Sequence, residues 1–185
     1  MRCLLSLIAV AGLALCAAAD APKLPEPPSG FQWQWCEEIR AAFLRPDGWY
    51  FKQGKQKETI GVFITKEKIE GDTAKFRTGL TVNVIPGVGK KSGGKASDYA
   101  FNYVRLATTE KQNVISLQEP TDRGRVKTCG YRIRKDGTIV HALLIADDVA
   151  DKLYLVMFES PEAEFDDAWQ TGQTIMKKLY FEFPK

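Results

Sequence analysis

Between Phe43 and Pro86 the chain reads FLRPDGWYFKQGKQKETIGVFITKEKIEGDTAKFRTGLTVNVIP, and its punctuation constrains the fold more than any other stretch. Pro46-Asp47-Gly48 is a turn with a mechanism, because proline presets φ at the first turn position and glycine accepts the angles that follow. Trp49, Tyr50 and Phe51 then open a strand, which the polar run QGKQKE ends. From Thr59 to Lys66, Ile60, Val62 and Ile64 lie on one face and Phe63 on the other. The aromatic and β-branched enrichment predicts an antiparallel pair. Leu80, Val82 and Val84 alternate with Thr81, Asn83 and Ile85 in a third strand.

The N-terminus reads as a removable leader rather than as part of the fold. Arg2 supplies a positive start, Leu4 to Leu15 form an apolar run, and Ala17-Ala18-Ala19 offers the small residues a signal peptidase reads, which places the cut after Ala19. The run is shorter than the roughly 20 residues that span a bilayer, so the expectation is export with no transmembrane segment left after signal removal. Cys16, preceded by Leu13-Ala14-Leu15, approaches a lipobox, but Leu15 stands where a small residue is usual, which disfavours a lipid anchor.

Cutting there leaves about 166 of the 185 residues, within the usual range of one domain and enough to bury a core. Of 26 basic residues only Arg2 is lost, leaving 25 against 23 acidic ones, so nothing in the charge demands nucleic acid or a membrane surface. Cys3 and Cys16 leave with the leader. Cys36 and Cys129 remain in a compartment that permits disulfides, and pairing is the favoured reading over two separate buried thiols.

After the cut, DAPKLPEPPSG carries four prolines and a glycine and reads as an extended tether over 20–30. Phe31, Trp33 and Trp35 then alternate as in a strand, while Ile39, Ala42 and Phe43 fit one face of a short helix, and both readings stay open. Ser97 is placed to cap a helix in which Ala100, Tyr103, Val104 and Ala107 form one apolar face. Val114–Leu117, Lys127–Arg134, Thr138–Ala146 and Lys152–Glu159 are further strands, with Asp136-Gly137 a tight hairpin turn. Ser160 as cap, Pro161 at the first helical position and Glu162 and Glu164 in the first turn start a last helix. Its apolar face carries Phe165, Ala168, Trp169, Gly172, Ile175, Met176 and Leu179. The order predicts an α+β sandwich in one domain over 31–185.

Three sets of residues are candidates for chemistry. In PGVGKKSGGK, Gly89, Gly94 and Lys95 meet the G-x-x-x-x-G-K spacing of a phosphate-binding loop, but Ala96 stands where a magnesium-binding hydroxyl belongs. The loop reads instead as a basic, solvated segment whose Lys90, Lys91 and Lys95 suit an anion or an acidic partner. Asp147, Asp148 and Asp151 form the acidic cluster available to a hard divalent cation, although aspartates serve hairpin turns as well. His141 lies in Ile139-Val140-His141-Ala142-Leu143 among apolar neighbours and reads as a satisfied sheet histidine, since no motif supplies it with a catalytic partner.

DGWYF, GVFIT, TGLTVNVI, SDYAFNYV, GYRIRKDGTIVHALLIADDVADKLYLVMFES and FDDAWQTGQTIMKKL together resemble the PsbP-like family. That family contains the extrinsic subunit P of photosystem II, and its fold is shared by a Ran-binding nuclear import factor and by bacterial periplasmic proteins. The resemblance implies a central antiparallel sheet sandwiched by helices, used as a non-enzymatic binding or assembly module, with no catalytic residue or cofactor. Taken with the leader, the expectation is an exported protein, periplasmic or extracellular, with an envelope protein as partner. The rival is a carrier of small apolar molecules whose pocket is lined by Trp33, Trp35, Trp49 and Tyr50, and an enzyme of another kind would need His141 in a cleft beside a carboxylate.

Overall fold

The structure, a computed structural model, describes residues 22–71 and 75–183. The expected leader, with Cys3 and Cys16, lies outside the described residues. The remaining tether has no regular structure before the turn at Ser29-Gly30, and Trp33 pins it by donating its indole N–H to the Pro25 carbonyl at 2.7 Å.

Strands β1 (Phe31–Cys36) and β2 (Ala41–Pro46) form an antiparallel hairpin around a 3-10 turn, Glu37–Ile39. The open segment is therefore strand. Its helical look has a physical cause: Ala41, Ala42, Phe43 and Leu44 are each 0% exposed, so β2 is buried on both faces and its apolar residues run together instead of alternating. The chain continues through β3 (Tyr50–Gln56), β4 (Thr59–Thr65), β5 (Gly79–Pro86), α1 (Val88–Ser92) and α2 (Ala96–Ala107). Then come β6 (Val114–Arg123), β7 (Val126–Lys135), β8 (Thr138–Asp147), β9 (Lys152–Pro161), α3 (Phe165–Lys177) and β10 (Tyr180–Phe181).

Seven strands make one antiparallel sheet in the order β3-β4-β5-β9-β8-β7-β6, and β10 completes a second, three-stranded sheet on the free edge of β2. The period-2 alternation of the inner strands feeds two cores. On β9, Leu153 and Leu155 face α1 and α2, packing with Val88, Ala96, Ala100 and Leu144, whereas Val156 and Phe158 face α3 and the small sheet, with Phe43, Val82, Phe165 and Ile175. The sandwich of helices about a central antiparallel sheet is as expected, with the small sheet as an added layer beside α3. At Gly172 a Cβ would meet the Phe158 ring at 2.8 Å, so the missing side chain is what lets α3 lie directly on β9.

Two helix starts differ from expectation. The residue before α2 is Lys95, whose backbone N–H is bonded by the Asp98 carboxylate at 3.0 Å, and Ser97 lies inside the helix. Ser160 is buried in β9 with its hydroxyl 3.2 Å from that of Thr78. A 3-10 turn over Glu162–Glu164 separates it from α3, and Glu162 and Glu164 pair with Arg134 and Arg77.

The expected Cys36–Cys129 disulfide is absent, and both thiols are free and buried. Cys36 packs in the core beneath α3 and the small sheet, and Cys129 in the core beneath α2, so the seven-stranded sheet stands between them. Each is a small core residue. Burial raises both thiol pKa values, that of Cys129 to about 11, so neither is poised as a thiolate.

His141 faces α3, its ring 4.5 Å from that of Trp169, and its Nδ1 accepts a 3.4 Å hydrogen bond from Arg132 Nε. The Arg132 guanidinium lies over the rings of Trp169 (4.5 Å) and Phe165 (5.1 Å). Burial, and then the Arg132 charge, push the His141 pKa from 6.5 down to about 4. The unfolded chain therefore takes up this proton first as the pH falls from about 6.5 to about 4. The neutral-ring packing is fully present above that window and is lost through it, at up to about 1.4 kcal/mol per pH unit. Urea midpoints measured from pH 7 to 4.5 should fall less steeply for His141→Phe than for the wild type. Parallel curves would contradict the assignment.

Candidate functional site

The basic loop is built more tightly than its composition implies. Val88–Ser92 is a short helix with Val88 and Gly89 buried, and its leading amides are already bonded: Gly89 and Lys90 donate their backbone N–H groups to the Asp151 carboxylate at 2.6 and 3.2 Å. A Cβ at Gly89 would sit 2.7 Å from that carboxylate, which is why this position has no side chain. The amides that would cradle a phosphate in a G-x-x-x-x-G-K loop thus hold an internal anion instead. Of the candidate lysines, Lys91 pairs with Glu58 of the β3–β4 turn at 2.6 Å, and its hydrogen bond and charge hold the Glu58 carboxyl below its usual range. Lys90 and Lys95 are exposed and in no ion pair among the described residues.

The acidic cluster is the other half of the same construction. Asp147 is 0% exposed, takes the Arg125 Nε at 2.9 Å, and accepts the backbone N–H groups of Val149 and Ala150 at 3.1 and 3.0 Å. Asp148 accepts from the Ser97 N–H at 2.8 Å and the Ser97 hydroxyl at 2.9 Å, with Lys127 at 3.3 Å. Burial alone would raise the Asp148 carboxyl, but the Ser97 bonds and Lys127 outweigh it and the pKa is lowered. Each carboxylate thus serves a different set of donors: the turn and Arg125, α2, and α1. They do not converge on a point, and no group of three or more His, Cys, Asp or Glu able to hold a metal ion occurs among the described residues.

The four aromatic residues expected around a carrier pocket do not meet in one. Trp49 lines a cavity of about 300 Å³ with Lys66, Thr78, Glu164 and Asp167, Tyr50 is exposed, and Trp35 donates its N–H to Glu37 at 2.8 Å.

Larger hollows open where the helices stop short of the sheet. On the α2 side a groove of about 670 Å³ runs past the helix C-terminus over Tyr131, Ile133, Val140 and Met157, with Tyr103 and Leu106 as its wall. It shares Lys135, Val140 and Glu159 with a neighbouring hollow of about 520 Å³ that reaches Phe76 and Arg77. Glu159 stands on the same strand face as Leu153 and Leu155, and burial raises its carboxyl against the opposing pull of Lys135. Among the described residues no hydrogen bond reaches that carboxylate. On the α3 side a second groove, of about 600 Å³, lies between β7, β8 and the C-terminal segment. The sequence signal for the first groove was present in β9, where Glu159 ends an apolar alternation. No such signal marks the second.

Replacing Asp151 isolates the carboxylate clamp, because asparagine tolerates the left-handed backbone at this position (φ 49). Asp151→Asn should cost about 1 kcal/mol in urea unfolding and speed tryptic cleavage after Lys90 and Lys91. Lys91→Ala, which breaks an exposed ion pair and an exposed 3.3 Å bond to the Pro86 carbonyl, should change stability by well under about 1 kcal/mol. Equal stability of Asp151→Asn and wild type would contradict the clamp.

No family model matches the chain, and no curated protein matches it. Among solved structures, cyanobacterial PsbP (CyanoP) from Synechocystis sp. PCC 6803 is similar over 89% of this chain and 99% of its own, with 16% identity and a TM-score of 0.51. A point mutant of the protein Mog1 is similar over 82% of this chain and 95% of its own, with 10% identity and a TM-score of 0.46. PA94 from Pseudomonas aeruginosa, a protein of unknown function, matches over 84% of this chain and 99% of its own, with 13% identity and a TM-score of 0.40. At these identities the likeness speaks to fold alone. The seven-stranded antiparallel sheet between helical layers and the near end-to-end match to CyanoP agree: the chain has the PsbP-like α+β fold.

Proposed function

We propose that this chain is an exported, non-enzymatic binding or assembly module whose α2-side groove docks a protein partner of the cell envelope. The observation that carries the reading is the groove itself. Leu106 is 68% exposed at its wall, above an apolar floor of Tyr131, Val140 and Met157, and the half-buried Glu159 carboxylate has no hydrogen-bond donor of its own among the described residues. A concave apolar floor with a carboxylate still open to a donor is a place where a protein interface can anchor a partner side chain. Export is supported by Arg2, the apolar run Leu4–Leu15 and the small residues Ala17–Ala19. No helix among the described residues is long and apolar enough to cross a membrane.

A photo-crosslinker placed beside the groove, at Thr109, should yield a discrete adduct in intact cells. Leu106→Glu should lower its yield by roughly tenfold or more, the loss expected at a buried interface anchor, without moving the urea midpoint. Charge reversal at Lys90, Lys91 and Lys95 should leave the yield unchanged. If that reversal removes the adduct and Leu106→Glu does not, the partner docks on the basic loop. Mass spectrometry of the protein recovered from cells should find a mature N-terminus at Asp20, and an acylated N-terminus at Cys16 would overturn the unanchored form.

A further inference from the structure

The second groove, on the opposite face of the sheet, has a different chemistry. Its floor is Val126, Leu143 and Ile145, and its wall is Met176, Leu179 and Phe181. The wall is pre-formed, because Phe181 is held by the rings of Phe43 at 5.9 Å and Tyr154 at 4.7 Å. The groove exists because α3 ends at Lys177 and β10 is two residues long, so the cover of this face stops short of β6. Its volume of about 600 Å³ falls in the roughly 300–1,000 Å³ range of small-ligand sites.

The charges around it have one sign. The lining includes Arg123 and Lys177 and no carboxylate, and neither cation is in an ion pair among the described residues. The Glu182 carboxylate, next in the chain to Phe181, turns away to Arg40 at 2.6 Å. Arg125 lies 6.0 Å from the centre of the Phe183 ring at the groove's end and is bonded to Asp147. An apolar trough with free cations at its rim complements a molecule with a hydrocarbon tail and an anionic head. The shape favours a single monomeric chain over a bilayer surface. The most exposed large apolar side chains, Tyr50, Leu106, Ile115, Leu117 and Val149, all lie outside this groove, whose own apolar residues are half-buried or buried.

We propose that this groove binds a free, single-chain carboxylate amphiphile, with the tail over Leu143 and Ile145 and the head group at the Arg123 and Lys177 rim. The site is separate from the α2-side groove and stands or falls without it. Titration calorimetry of the mature chain with octanoate, decanoate and dodecanoate, each as monomer, tests it. Affinity should rise about fourfold per added methylene, the value of burying each one. Dodecyltrimethylammonium should bind roughly tenfold or more weakly than dodecanoate, because the charged head group has lost its partners. Arg123→Glu with Lys177→Glu, both at exposed positions, should reverse that preference with an unchanged urea midpoint, and Leu143→Trp should block both ligands by filling the floor. The proposal is overturned by an affinity that ignores chain length, by equal binding of the two head groups, by binding to anionic vesicles but not to monomeric dodecanoate, or by amide shifts on dodecanoate addition that map to Leu106 and Glu159.

Discussion

Three carboxylates in one hairpin hold the helical cover of the α2 face to the sheet. Neither α1 nor α2 has an accepting side chain at its cap position, where Gly87 and Lys95 stand, and in the first turn of α2 the Asp98 carboxylate takes the Lys95 N–H but not that of Ser97. The remaining leading N–H groups would otherwise be orphaned at the positive end of a helix. The β8–β9 turn supplies the acceptors from far along the chain, Asp151 to α1 from 62 residues away and Asp148 to α2 from 51, while Asp147 braces the turn from inside. The direction in which α2 leaves that clamp decides where its last turn overhangs the sheet, and hence the width of the groove below Leu106.

The two grooves follow from unequal cover on a sheet that is wider than its helices. Alternation along β7, β8 and β9 makes both faces apolar, so each face demands a layer. On one side α2 ends before the β7–β8 turn, leaving Val140 and Met157 only half-buried. On the other, α3 and β10 end before β6, leaving Val126 and Leu143 half-buried. Arg132 is the point where the second layer accepts a charge: flat guanidinium on two aromatic rings, with His141 kept neutral beside it.

Much of this was legible in the residues. The alternations of β4, β5, β8 and β9, the Asp136-Gly137 turn and the apolar faces of α2 and α3 all carry local periodicity that tertiary packing preserves. What was illegible depends on long-range contact. The β2 run, buried on both faces, has no alternation to read. Tyr180-Phe181 becomes a strand only because β2 offers a free edge. The lysine-glycine loop is helical because of Asp151, distant in sequence, and Ser97 and Ser160 look like caps until the sheet supplies each with another partner. The disulfide expectation rested on compartment, which says nothing of which side of a sheet a cysteine faces. The grooves are legible only as boundaries of packing, and a boundary leaves no motif.

The outermost strand, β6, has a consequence beyond the domain. Ten residues long and exposed along its free edge, with Ile115 and Leu117 open to solvent, it has the length and apolar content to recruit a strand from another molecule. Its pairing with β7 shifts register between Val114 and Ser116 and again between Gln118 and Thr121, and Pro120 falls within the second irregularity with no N–H to offer. A neighbouring chain therefore finds no unbroken row of donors and acceptors to copy. The same irregularity that interrupts its pairing with β7 makes the free edge a poor template for joining one copy of the protein to another edge to edge.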